Sequence, residues 1–143
     1  MKITEELYIM TEKTNQEILN ALLGANNDDV QAEVEMKRFG FNFVVKALTP
    51  DQMSRITERA TKRGAKNQKV LDEDLFNYLT IVEACQVPNW NDPDLKKGLN
   101  AIDAVDAVKK RLLFGEVAIL LNAIGDLNDF NKSDEEMIDE VKN

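Results

Sequence analysis

Apolar positions along the chain change their spacing several times, and each change marks an element. Over residues 16–23, Ile18, Leu19, Leu22 and Leu23 recur at helical spacing and predict a helix that Gly24 stops. A loop at residues 26–29 follows. In VQAEVEM, residues 30–36, Val30, Ala32, Val34 and Met36 alternate with Gln31, Glu33 and Glu35, the period-two pattern of a half-buried strand. Beyond a turn at residues 37–40, Phe41, Phe43 and Val45 alternate with Asn42, Val44 and Lys46, so the two runs predict a β-hairpin.

The period then becomes helical. Thr49 is a good N-cap, Pro50 suits the first helical position, and a helix is expected to run to Arg63. Its apolar positions, Met53, Ile56 and Ala60, are few, which predicts a surface helix with Arg55, Arg59, Lys62 and Arg63 in water. Residues 64–69 hold no apolar side chain except Ala65 and are expected to form a mobile loop. Asp72 opens the strongest core helix, with Leu75, Phe76, Leu79, Val82 and Gln86 on its stripe and Ile81 and Cys85 widening it, until Pro88 ends it. PNWNDPDL, residues 88–95, is a punctuated loop with a short helical turn behind Pro93. Asp103 starts a helix carrying Val105, Val108, Leu112 and Leu113. Gly115 separates it from a last helix with Val117, Leu120, Leu121, Ile124 and Leu127 on one face.

The expected fold class is therefore α+β and mostly α-helical: a short N-terminal β-hairpin followed by about four to five packed helices. The expected organisation is an N-terminal helix and loop over residues 1–29, one globular domain over 30–130, and an acidic C-terminal tail over 131–143. Poor in apolar residues, that tail is expected to be a frayed helix or unstructured.

Composition narrows the chemistry. The 143 residues contain no histidine and one cysteine, Cys85. That removes the common general base, the common metal ligand, Ser-His and Cys-His nucleophile pairs, and any internal disulfide or thiolate zinc cage. No enzyme activity, cofactor or metal is expected. Asp129, Asn131, Ser133 and Glu140 fall at calcium-loop positions, but Asp134 replaces the glycine of the sharp turn and Glu136 the inward apolar residue, so no calcium site is expected. Residues 1–10, MKITEELYIM, are interrupted by Glu5 and Glu6 and do not read as a signal peptide. No apolar run approaches the roughly 20 residues of a membrane span. The expected location is cytoplasmic, with no membrane partner.

Charge is segregated. Residues 37–69 hold nine of the 18 Lys and Arg but only two of the 26 acids, Asp51 and Glu58, in a chain whose net charge is -8. Such a field can select partners or guide self-association, or simply mark solvated helix faces. Phosphate binding by the basic residues 50–69 is one reading, but no aromatic stacking residue lies between Leu48 and Leu75 and the whole chain is acidic. Nucleic acid is accordingly not the expected partner. Cys85 reads as a small core residue, and Trp90 as either a core plug or a partner anchor, the plug being favoured.

The order of the pieces resembles the XkdN-like phage tail assembly chaperones. The resemblance is carried by Arg38-Phe39 leading into FNFVVKALT (residues 41–49), by Tyr78, Leu79, Ile81, Val82 and Glu83 before PNWNDPDL, by LLFGE (residues 112–116), and by the helix of Ile124 ending at Phe130. It spans residues 37–130. Phe114 stands where that family usually has proline, and Asp129 where a glycine usually precedes the terminal Phe. The resemblance implies a non-catalytic protein of the bacterial host cytoplasm that coats the phage tape measure protein and keeps it soluble until the tail tube forms. The tail tube protein and a second copy of the chain are further candidate partners. Candidate partner-binding residues are Trp90, Phe114, Arg55, Arg59 and Arg63. A nucleic-acid-binding regulatory domain using residues 50–69 and a minor structural protein of the virion are the competing readings.

Overall fold

Side-chain caps set where most of the helices begin. In the computed structural model, which describes residues 13–128, Thr14 Oγ1 accepts the Glu17 N–H at the start of α1 (Asn15–Gly24). Thr49 Oγ1 accepts from Gln52 N–H, and Gln52 Oε1 accepts from Thr49 N–H at 2.8 Å, a reciprocal capping box that opens α2 (Pro50–Ala60). Asp72, Asp92 and Asp103 cap α3 (Glu73–Ala84), α4 (Pro93–Leu99) and α5 (Ala104–Arg111) with a carboxylate that accepts a first-turn N–H, without the reciprocal bond. The last helix, α6 (Phe114–Leu127), starts where the Glu116 carboxylate accepts the Leu113 N–H at 2.8 Å.

The predicted hairpin is β1 (Gln31–Met36) and β2 (Phe41–Lys46), paired antiparallel with Val34 opposite Phe43 and Ala32 opposite Val45. A third strand, β5 (Cys85–Val87), pairs antiparallel with β2, giving the sheet order β1-β2-β5. Because side chains alternate across a strand, Val34, Met36, Phe43 and Val45 all enter the core, while Glu33, Glu35 and Asn42 stay in water. Helix α6 lies over β1 and β2, and α3 is the central helix, in contact with α2, α5 and α6. Ile81, Val108, Leu120 and Trp90 fill the space between them. The fold is mixed α+β and mostly helical, with six α-helices among the described residues.

Several expected boundaries are corrected. Helix α2 ends at Ala60 rather than Arg63, because Thr61 turns to extended backbone and Thr61–Arg63 becomes β3, paired with β4 (Lys69–Leu71). The presumed loop at 64–69 is thus largely the turn of a second hairpin. Gly64 donates to Gln68 O at 2.7 Å, and a Cβ there would sit 2.8 Å from Val70 Cγ2, which explains the glycine. Helix α3 stops at Ala84, so Gln86 lies on β5 rather than on the core stripe; the extended preference of the residue before Pro88 agrees with this. Gly115 lies inside the first turn of α6, and the break falls at Leu112 and Leu113. Gly24 is the last residue of α1, not a left-handed stop beyond it; Ala25 follows in extended backbone. The acidic tail and the calcium-loop positions lie outside the described residues.

Arg38, in the turn between β1 and β2, ties the sheet to the α5–α6 junction. Its Nε donates to Glu116 Oε2 at 2.9 Å and its Nη2 to the Arg111 carbonyl at 2.8 Å. The Arg38 hydrogen bond holds the Glu116 carboxyl below its ordinary value near 4.5, partial burial opposing it. A proton therefore binds Glu116 more weakly in the folded chain than in the unfolded one. The stability this contributes is present above about pH 4.5 and is lost as pH falls through the depressed folded value. Asp72 beside Lys62 and Asp106 beside its Ile102 N–H and Lys110 shift in the same direction. Urea midpoints measured from pH 6 downward are expected to fall, and Glu116→Gln is expected to flatten part of that slope; an unchanged slope would show that the link adds nothing to folding.

Candidate binding surface

Helix α6 carries more apolar residues than the core can use. Of its 14 residues nine are apolar, yet only Leu120, Ile124 and Gly125 are buried. Part of the surplus, Phe114, Val117, Ala118 and Leu121, lies along the seam between α6 and α3, while Ile119 is exposed away from it. Near the start of α6 is a concavity of about 320 Å³ lined by Tyr78, Lys109, Phe114, Val117 and Leu121. Near its end is another of about 210 Å³, lined by Leu48, Met53, Phe76, Leu121, Gly125 and Asn128. Asn77 and Leu121 line both, so the two concavities are neighbours along one α3–α6 groove line. Helix α6, which walls both, is about 21 Å long at 1.5 Å per helical residue. Asn128 pins the far end, its Oδ1 accepting the Leu48 N–H at 3.1 Å and its Nδ2 donating to Ile124 O.

Phe114 stands at the open end of this groove and is 92% exposed. Lys109 holds its ammonium 5.8 Å from the Tyr78 ring centroid across the same end. The remaining candidate residues are placed elsewhere. Trp90 is 1% exposed and meets Phe43 edge to face with centroids 6.2 Å apart, which makes it a core plug in the folded chain. Its indole N–H has no oxygen or nitrogen acceptor among the described residues and lies toward the Cys85 sulfur. Cys85 is also buried, and burial pushes its thiol up to about 11. Arg55 faces Glu83 of α3 at 3.8 Å. Arg63 lines a different concavity with Lys62 and Lys69, and Arg59 lies exposed on α2, so the three arginines do not converge.

The sequence reading missed Tyr78, Asn77 and Lys109 as surface-forming residues. Their signal was only indirect, since helical spacing shows which residues share a face but not which neighbouring helix leaves that face open. A second apolar row lies on α1, where no residue is buried and Leu22 and Leu23 are 73% and 76% exposed. Among the described residues no three His, Cys, Asp or Glu are placed to hold a metal ion, and no helix is long and apolar enough to cross a membrane.

An α+β module with an open helical groove and unpartnered apolar rows has the makings of a protein-binding protein. The chain belongs to the phage XkdN-like tail assembly chaperone family, whose model matches residues 19–142. The match begins ahead of the hairpin and so takes in most of α1 as well as the region in which the resemblance was read. In fold the chain is similar to the crystal structure of the protein yqbn, with a TM-score of 0.55 and 24% identity, covering 71% of this chain and 86% of that one. That likeness speaks to the fold alone. No curated protein matches the chain.

Proposed function

We propose that this chain binds the phage tape measure protein in the cytoplasm of the host bacterium and keeps it soluble during tail assembly, without catalysing a reaction. The observation that supports this most is the open groove along α6 in a member of a tail assembly chaperone family. An amphipathic client helix laid against α6 and α3 would bury its apolar face on Phe114, Val117 and Leu121. The exposed row of α1 offers a second contact, and two weak contacts repeated along a long client give avidity while each stays displaceable. The tail tube protein, which must replace the chaperone on the client, is the natural second partner in this reading.

The basic residues fit a nucleic-acid role less well. Lys62 pairs with Asp72 at 2.7 Å, Arg55 with Glu83, and no aromatic ring stands among them for base stacking. Co-expression is expected to hold an otherwise insoluble tape measure fragment in solution with several copies of the chain bound. Raising salt is expected to weaken the complex only modestly, whereas phosphate contacts would lose about 10³–10⁵ in affinity between 50 and 200 mM. A chain that rescues no tape measure segment but binds DNA at physiological salt would overturn the proposal.

A further inference from the structure

Two strand edges of the chain are open, and they carry opposite charge. Strand β1 is an edge of its sheet. Ala47 N–H donates to Val30 O at 2.8 Å, which fixes the phase of the β1–β2 ladder: the N–H and C=O groups of residues 32, 34 and 36 face β2, and those of Gln31, Glu33 and Glu35 point away from it. Strand β4 belongs to a two-stranded sheet with β3. Bonds from Gly64 N–H to Gln68 O and from Asp72 N–H to Ala60 O fix that ladder as well, and turn the backbone groups of Lys69 and Leu71 outward. Among the described residues none of these five makes a backbone hydrogen bond across its open side. Glu33 and Glu35 line the first edge; Lys69 lines the second, with Arg63 opposite it on β3. All four are exposed and form no ion pair among the described residues. We propose that β1 of one copy pairs antiparallel with β4 of a second copy, joining copies head to tail while the α3–α6 groove stays free.

Charge decides which edges meet. Pairing β1 with β1 sets Glu33 and Glu35 against carboxylates, and pairing β4 with β4 sets Lys69 against a cation, so like edges repel. Pairing β1 with β4 sets opposite charges side by side. With Glu33 opposite Lys69, Gln31 faces Leu71, and the outward backbone groups of these two pairs supply roughly four hydrogen bonds. Arg63 lies on the same face as Lys69, one strand further on, and adds a second cation near the two carboxylates. On the opposite face Val70, 51% exposed, falls across from Ala32. Helix α6 lies over β1, and Ile119, half exposed on the flank of α6 away from α3, is the apolar side chain within reach of Val70 there. The two edges are different surfaces, so the contact is heterologous: each dimer keeps one free edge of each kind, and further copies can extend the row. Strand β4 is only three residues long, so each contact is weak and association needs a high protein concentration.

The test uses the full chain and no client, so it stands or falls apart from the tape measure reading. Sedimentation velocity is expected to show association that grows with protein concentration and weakens as salt is raised. Glu33→Lys and Lys69→Glu are each expected to weaken it at least about tenfold, with the melting temperature unchanged because both positions are exposed. An equal mixture of the two variants is expected to associate again, since the Lys69 edge of the first meets the Glu33 edge of the second. Amide exchange at Glu33 and Lys69 is expected to slow when the parent chain is concentrated, a readout that charge attraction without strand pairing would not move. A chain that stays monomeric up to about 1 mM would overturn the proposal. So would association that survives either reversal, a mixture that stays dissociated, or amides at 33 and 69 that gain no protection.

Discussion

Replacing Trp90 by Ala is expected to destabilise the fold by about 3–5 kcal/mol, the usual cost of emptying a large aromatic site in a core. In a chain of this size that is a melting temperature lower by about 10 °C. The indole is 1% exposed and sits edge to face on Phe43, itself flanked by Phe39 and Phe41 with centroids 5.6 and 5.2 Å away, so its removal leaves a cavity beneath the sheet. Its buried N–H has no oxygen or nitrogen acceptor among the described residues and only the Cys85 sulfur, a weak acceptor, beside it, so Phe would give up little by lacking the donor. Trp90→Phe is accordingly expected to be much milder than Trp90→Ala. Affinity for a tape measure fragment, measured on the fraction still folded, is expected to stay near that of the parent. A Trp90→Ala chain that melts normally but has lost its client would reverse the assignment and make Trp90 an anchor.

Phe114→Ala is expected to do the opposite. The ring is 92% exposed, so truncating it changes stability by no more than about 0.5 kcal/mol. As an aromatic anchor at the mouth of the groove it is expected to contribute about 2 kcal/mol to client binding, a loss of roughly 30-fold in affinity by calorimetry. Leu121→Ala gives the contrast, because Leu121 is half-buried and lines both parts of the groove. It is expected to cost stability and binding together. Unchanged client affinity in Phe114→Ala would place the interface away from this end of α6 and leave the exposed row of α1 as the stronger candidate.

Local chemistry was legible wherever one element's own residues decide it. Thr49, Asp72 and Asp103 cap helices as read, and the alternation in residues 30–36 and 41–46 places Val34, Met36, Phe43 and Val45 inside. The family resemblance was legible for a related reason: the runs that carry it include the strand β2 and the central helix α3, both core segments, and the α5–α6 junction, where Leu112 is buried while Leu113 and Phe114 are exposed. Errors gathered where a short segment could continue a helix or leave it. Residues 61–63 and 85–87 have no alternation long enough to register as strands, and what makes them extended is a partner strand, β4 in one case and β2 in the other.

By itself the sequence determined the starts of α2, α3 and α5, the hairpin and its inward face, the lack of histidine and of paired thiols, and the family to which the chain belongs. These depend on residues near one another along the chain, so period, capping and composition suffice to read them. Only the tertiary structure decided that Trp90 is interior while Phe114 is bare, that Arg55 and Arg63 part company, and that Val117 and Leu121 of α6 face an open groove against α3. Each of those depends on which elements meet, and a helix with apolar residues on most of its sides carries no mark of which side its neighbours will leave uncovered.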